Sequence, residues 1–164
     1  MNALTFDRER GFTFVDAVAA IVVLAVMFAL ALPRYLHKQQ DLRLAKIEAL
    51  YDTVRTATQR VYLDSLAKGN SGSEGSVVTA AGRVSTAYGY PDIGANGIAL
   101  ATGLDPTPPP RVNADGMQVR VIAGTMSVSP VGAADPLRCR FTYTPARRAT
   151  SAPAIVLIAA QGDC

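Results

Sequence analysis

The chain has 164 residues, of which 49% are hydrophobic and 18% charged, with a formal net charge of +3. This length fits one domain plus an appendage. Arginines scattered between Arg111 and Arg148 supply most of the positive excess, and a dispersed charge of this kind does not indicate a specific nucleic-acid partner. The apolar residues are concentrated in the first third, so the remainder is expected to be a small globular domain.

A long apolar segment occupies residues 12–32, with Thr13 and Asp16 as its polar members. A helix of about 21 residues covers roughly 31 Å, close to the hydrocarbon thickness of a bilayer. A secretory signal peptide is the alternative, but its apolar region usually runs about 7–15 residues and ends at a small-residue cleavage site. Here Pro33-Arg34-Tyr35 and a further helical pattern follow instead. The sequence therefore predicts a single-pass membrane helix with its N-terminus inside.

Asp16 is the unusual member of this segment. A carboxylate at the centre of a bilayer costs about 2.5–3.5 kcal/mol, and less near an end of the helix. Two interpretations follow: Asp16 lies at the cytoplasmic interface, or it has a cationic partner.

The residues around Asp16 form a recognisable motif, Gly11-Phe12-Thr13-Phe14-Val15-Asp16, preceded by a short charged segment. The motif resembles the type IV pilin family, including the pseudopilins of type II secretion, in which a leader ending in Gly precedes an aromatic-led apolar helix. The resemblance implies that residues 1–11 are a leader, cleaved after Gly11 by a prepilin peptidase that also N-methylates Phe12. Pro33 stands where such pilins often carry a helix-kinking proline. The chain departs from the family at Asp16, where glutamate is usual.

Cleavage after Gly11 would create a new α-amino group on Phe12 in apolar surroundings. A buried unpaired charge is expensive, and pairing with the Asp16 carboxylate relieves both charges. A pair between subunits would fix their axial register. A pair within one chain is the alternative, because the first and fifth positions of a helix share a face.

Beyond Pro33, an amphipathic helix is predicted over residues 34–66, ending near Gly69. Its apolar positions recur at intervals of three and four: Leu44, Ile47, Leu50, Tyr51, Val54, Ala57, Val61 and Tyr62. Pro33 removes a backbone hydrogen bond and is expected to kink the helix or melt it locally. One apolar face is expected to lie on the chain's own head domain.

Residues 67–164 are expected to form a globular β head. Residues 69–76 have the composition of a loop, and residues 77–115 indicate a surface segment of short pieces. Strands are predicted at 117–123, 125–129, 137–144 and 154–160. A four-stranded antiparallel sheet on the helix would bury five apolar side chains: Val119, Val121, Phe141, Val156 and Ile158. The predicted fold class is α+β.

The two cysteines, Cys139 and Cys164, both fall in this head, outside the inner membrane, where disulfides persist. Two buried free thiols are the alternative. Residues 87–92, Ala-Tyr-Gly-Tyr-Pro-Asp, followed by Gly97-Ile98, resemble mannose-sensitive haemagglutinin-type pilins, and a pairing of Cys139 with Cys164 is similar to that group. The resemblance implies that residues 140–163 form an exposed, variable contact surface.

Catalytic motifs are missing from the sequence. The chain has one histidine, His37, and no nucleophile elbow, phosphate-binding loop or cluster with metal-ligand spacing. No enzyme, cofactor or metal is therefore expected.

The expected function is a structural pilin that polymerises with copies of itself into an extracellular filament for adhesion, motility or related surface functions. Before assembly it would be an inner-membrane precursor in contact with lipid, the prepilin peptidase and an assembly platform. A pseudopilin or minor pilin is one alternative, and a membrane-tethered binding module that never polymerises is another.

Overall fold

The computed structural model describes residues 14–104, 112 and 116–164, without the side chains of residues 33, 34, 36 and 37. The fold is α+β, as predicted: one long N-terminal helix is followed by two antiparallel sheets. The chain divides into two compact units, residues 1–38 and residues 39–164.

Helix α1 runs from Phe14 to Ala67, and its backbone remains helical through Pro33. The predicted local melting at Pro33 is therefore not observed, and the kink stays a prediction. Helix α1 ends two residues before Gly69, whose φ of +67° is the left-handed conformation common after a helix C-terminus. The predicted end near Leu66 is confirmed.

In the second unit, α1 presents one apolar face to the head. Ile47 and Val54 are fully buried and Val61 is 2% exposed, each seven residues from the next, so they lie on one face. The other predicted apolar positions are partly buried beside them, which confirms the predicted amphipathic pattern. The hydroxyls of two polar residues on this face donate hydrogen bonds to main-chain oxygens: Thr58 donates to Val54, and Ser65 donates to Asn70.

Within the residues that the structure describes, seven strands form the two sheets. Their bounds are β1 Gly75–Thr79, β2 Gly82–Ala87, β3 Tyr90–Pro91, β4 Met117–Ile122, β5 Thr125–Pro130, β6 Cys139–Thr144 and β7 Ala154–Ala159. The first sheet has the order β1-β2-β3, and the second has the order β4-β5-β6-β7 with all neighbours antiparallel. A π-helical turn, Ala95–Ala99, runs into the short helix α2, Leu100–Thr102.

The four-stranded sheet was predicted from the sequence, but three of its expected core residues are not buried. Val119 and Phe141 belong to the core, whereas Val121, Val156 and Ile158 are 40–49% exposed. Strand β7 is apolar on both faces, so its pattern does not reveal which face points inward. The pairing with β6 settles this, because buried Phe141 opposes Leu157 and thereby turns Val156 to the other face. Val121 lies on the edge strand β4, and the covered part of this row begins with its fully buried partner Met126 on β5.

The three-stranded sheet was not predicted. The sequence indicated only short surface pieces for residues 77–115, yet Val77 and Val84 are fully buried and pack with Val61 of α1 in a second small core. Val77 and Val84 oppose each other across β1 and β2. The β-branched runs around them were the available signal, and the glycines and alanines between them obscured it.

Strand β3 and the segment that follows it join the two sheets to α1. The rings of Tyr90 and Tyr62 stack with centroids 4.1 Å apart, and the hydroxyl of Tyr143 in β6 donates to the main-chain oxygen of Pro91 at 2.6 Å. Gly97 packs so closely on Asp92 that a Cβ would collide with its backbone. The segment after β3 therefore needs glycine at position 97, and β3 itself anchors the first sheet to the second.

Candidate functional site

The first part of α1 is a candidate membrane anchor. Residues Phe14–Leu32 have a mean hydropathy of 2.7, and none of this window is buried. At about 1.5 Å per residue they extend roughly 28 Å, which is enough to cross the hydrocarbon core of a bilayer. Length and composition fit a membrane anchor or a signal sequence. The large side chains point in all directions, from Val18 at 44% exposed to Phe14 at 84%.

Asp16 is the one charged residue in this part of the helix. It lies in the first turn of α1 and is exposed. A carboxylate near a helix N-terminus is favoured by the partial positive charge of the unpaired N–H groups there. Its predicted partner, the Phe12 amine, and the predicted cleavage site at Gly11 lie outside the described residues. The register pair therefore remains a prediction.

A disulfide closes the end of the head. Cys139 and Cys164 are bonded, with their Cα atoms 5.1 Å apart and their positions separated by 25 in the chain, and both are fully buried. They are therefore not the free thiols of the alternative interpretation. The bond joins the first residue of β6 to the segment that follows β7.

This segment is also held by side chains from α1. The Nε2 of Gln161 donates to Oδ1 of Asp41 at 2.8 Å, and Nη1 of Arg43 donates to the main-chain oxygen of Cys164 at 3.3 Å. Asp163 accepts from the backbone N–H of Asp135 through its main-chain oxygen. The disulfide-bonded segment is thus fastened to both the helix and the loop before β6. Sequence reasoning missed these contacts, because Asp41 and Arg43 look like ordinary polar helix positions.

The expected contact surface at residues 140–163 contains two strands and the loops beside them. Strands β6 and β7 occupy residues 140–144 and 154–159, and the remaining residues are 145–153 between them and 160–163 after β7. Arg147 and Arg148 in the first of these loops are exposed. Whether this surface contacts another molecule stays a prediction.

A groove of about 830 Å³ lies between α1 and the β1–β2 turn. It is lined by Asp52, Arg60 and Asp64 together with threonines and small apolar side chains. Within the described part of the chain, no group of three or more His, Cys, Asp or Glu residues could hold a metal ion. The side chain of His37 lies outside that part.

The chain was compared with protein-family models, curated proteins and solved structures, and no significant match was found in any of the three.

Proposed function

We propose that this chain is a pilin-type subunit, anchored in the inner membrane as a precursor and built to polymerise into an extracellular filament. The observation that supports this most directly is the contrast within α1. Residues Phe14–Leu32 leave their apolar side chains uncovered on every side, whereas residues 39–67 bury one face on the head. One part of the helix therefore needs an apolar partner from outside the chain, and the other part already has one.

An uncovered apolar helix of this length is not stable in water. Removing apolar surface from water is worth about 25 cal/mol per Å², so a cover for the large side chains of residues 14–32 is strongly favoured. Lipid can supply this cover before assembly. The same helices from neighbouring copies can supply it in the core of a filament, and the disulfide-bonded heads would then form the outside.

In this proposal, Asp16 sets the axial register between neighbouring subunits. In the proposed filament its carboxylate accepts the new α-amino group of Phe12, either from an adjacent subunit or from its own chain. The pair neutralises two charges that would otherwise lie in apolar surroundings. The resemblance of residues 11–16 to the pilin motif supports the same assignment.

A pseudopilin or minor pilin would carry the same helix and the same leader, and would differ in abundance. A membrane-tethered binding module that never polymerises would keep the anchor without the cleavage. Processing and filament content therefore separate the three.

The test is mass spectrometry of the N-terminus of protein sheared from the cell surface. Mature protein should begin at Phe12 with one added methyl group, and Gly11→Leu should trap the precursor in the membrane. The matched control, Ala3→Leu, places the same side chain elsewhere in the leader and should be processed normally. A mature N-terminus after Leu32, or filaments built from uncut chain, would overturn the proposal.

A further inference from the structure

The outer face of the four-stranded sheet, opposite the face packed on α1, is rich in hydroxyl groups. One continuous row crosses all four strands, and its members are Arg120, Ser127, Thr142 and Val156. In the next row, the hydroxyls of Thr125 and Thr144 are 3.1 Å apart. On the other side of the first row lie Ser129 and Arg140, on β5 and β6, of which Ser129 is buried and Arg140 partly buried. The face thus presents two rows of hydroxyls on β5 and β6, with two arginines beside them.

Positive charge is concentrated in this part of the chain. Residues 116–164 contain five arginines against two carboxylates, Asp135 and Asp163. Both carboxylates are engaged near the start of β6, because Asp163 lies 3.9 Å from Arg138 and Asp135 accepts from the N–H of Leu137. Within residues 116–164, neither carboxylate is seen to pair with Arg120 or Arg140, so these two arginines create an attractive field for anions.

Arg120 and Arg140 differ in how they are held. Arg120 is exposed, whereas Arg140 is partly buried, and its Nε has no hydrogen-bond partner among the described residues. This Nε is buried and offers no contact to a ligand, so Arg140 contributes to the face through the positive charge of its guanidinium. Arg140 lies two strands away from Arg120 across the sheet and two residues away along the strand direction. By standard strand spacing, this places their Cα atoms about 12 Å from each other. This separation suits successive charges on a polymer better than one small anion.

We propose that this outer face binds an acidic polysaccharide, a chain of hydroxyl-bearing sugar units that carry carboxylate or sulfate groups. Guanidinium groups bind planar or tetrahedral oxyanions through two parallel hydrogen bonds. The serine and threonine hydroxyls both donate and accept, so they can exchange hydrogen bonds with sugar hydroxyls. Val156 and Ile158, 49% and 40% exposed, border the polar rows and offer an apolar surface to the C–H faces of the sugar rings.

A nucleic acid would fit the same charge but not the rest of the face. Proteins that bind single strands stack the bases on aromatic side chains, and the outer-face positions of β4–β7 carry none. Duplex DNA is usually read by a helix or a two-stranded ribbon inserted in a groove. The outer face of a four-stranded sheet would contact only phosphates. The rows of hydroxyls therefore favour a polysaccharide.

The experiment measures binding of the full chain, in a non-ionic detergent, to immobilised heparin and polygalacturonate as salt is increased. Arg120→Ser and Arg140→Ser should each weaken binding roughly fivefold, and each should lower the slope of log affinity against log salt by about one. The matched control replaces two exposed arginines off this face, Arg55→Ser with Arg83→Ser. Because this double control removes the same charge as Arg120→Ser combined with Arg140→Ser, parental binding by the control and loss of binding in the combined variant would assign the effect to position.

A hydroxyl variant and a DNA duplex test the proposal further. Thr142→Val keeps the shape of the side chain and should weaken binding without changing the salt slope. Parental affinity in this variant would overturn the role of the hydroxyl rows. Equal losses in the control and outer-face variants, or a DNA duplex bound at least as tightly as both polysaccharides, would overturn the proposal as a whole. Arg120 is exposed, so Arg120→Ser should fold normally even if Arg140→Ser does not.

Discussion

The guanidinium of Arg43 donates from Nη1 to the main-chain oxygen of Cys164, which lies 3.3 Å away and 121 positions later in the chain. Its Nη2 lies beside Gly132, in the loop after β5, where a Cβ would come within 3.1 Å. One side chain of α1 therefore touches two separate loops of the head. This contact and the disulfide hold the same segment by different means.

Arg43→Ala should lower the free energy of unfolding by about 1–2 kcal/mol, because a hydrogen bond from a charged, partly buried donor is lost. Chemical denaturation of the full chain in non-ionic detergent measures the change. Arg55→Ala, which removes an exposed arginine from the same helix, is the control and should stay within about 0.5 kcal/mol of the parent. An Arg43→Ala midpoint equal to that of the control would show that the contact contributes nothing.

Removing the disulfide should have a larger effect. Closing a loop of about 26 residues stabilises the fold by roughly 3.5 kcal/mol on the chain-entropy model, so Cys139→Ser with Cys164→Ser should lower the free energy of unfolding by a few kcal/mol. Reducing agent should shift the parent towards the double variant and leave the double variant unchanged. Alkylation and mass mapping provide an independent check, and free thiols in folded protein would contradict the bond.

The disulfide and the Arg43 contact should also be coupled. Without the bond, the segment around Cys164 is freer to move, so Arg43→Ala should cost less in the double-serine background than in the parent. A double-mutant cycle measures this difference. Strictly additive effects would show that the disulfide and the Arg43 hydrogen bond act independently.

Sequence patterns located the helices and strands whose apolar residues recur at regular spacing. They missed individual tertiary contacts, because these have no regular spacing. The seven-residue spacing of Ile47, Val54 and Val61 predicted the buried face of α1, because helical periodicity alone determines which side chains share a face. Strand β7 was found, but its inward face was not, because an apolar run without alternation leaves the register to pairing with β6. The hydrogen bond from Arg43 to Cys164 could not be predicted from the sequence, because it depends on the complete tertiary fold.

The pH dependence of stability should reveal the raised pKa of the Tyr143 phenol. Burial raises its pKa above the usual value of about 10, and nearby Asp92 adds to the effect. Folding therefore favours the protonated phenol. Its contribution is fully present below pH 10 and is lost as the pH rises from about 10 towards the higher pKa of the folded state. The melting temperature of the parent should fall steeply above pH 10.

Tyr143→Phe should reduce this alkaline fall, although burial and Tyr62 also raise the pKa of Tyr90, so some of the fall should remain. At pH 7 the same variant should be less stable by about 1 kcal/mol, because the oxygen of Pro91 loses its donor. Tyr35→Phe removes an exposed tyrosine and is the control. An unchanged alkaline fall in Tyr143→Phe would contradict the assignment.

Asp16 tests the assembly proposed for the apolar helix. If its carboxylate neutralises the Phe12 amine of a neighbouring subunit, Asp16→Ala leaves a cation unpaired in an apolar core. Removing one partner of a buried pair typically costs about 3–5 kcal/mol, which would oppose each subunit addition. Membrane insertion should survive, because alanine enters a bilayer more readily than aspartate.

The expected phenotype of Asp16→Ala is therefore a normal level of precursor and normal cleavage, with few or no filaments by electron microscopy. Asp16→Glu keeps the charge and should assemble at least as well as the parent. Asp16→Asn keeps the size but loses the charge, and it should resemble Asp16→Ala. This pair of substitutions separates charge from shape at a single position. Filaments at parental density in Asp16→Ala would show that the carboxylate has no pairing role and that Asp16 simply lies at the membrane interface.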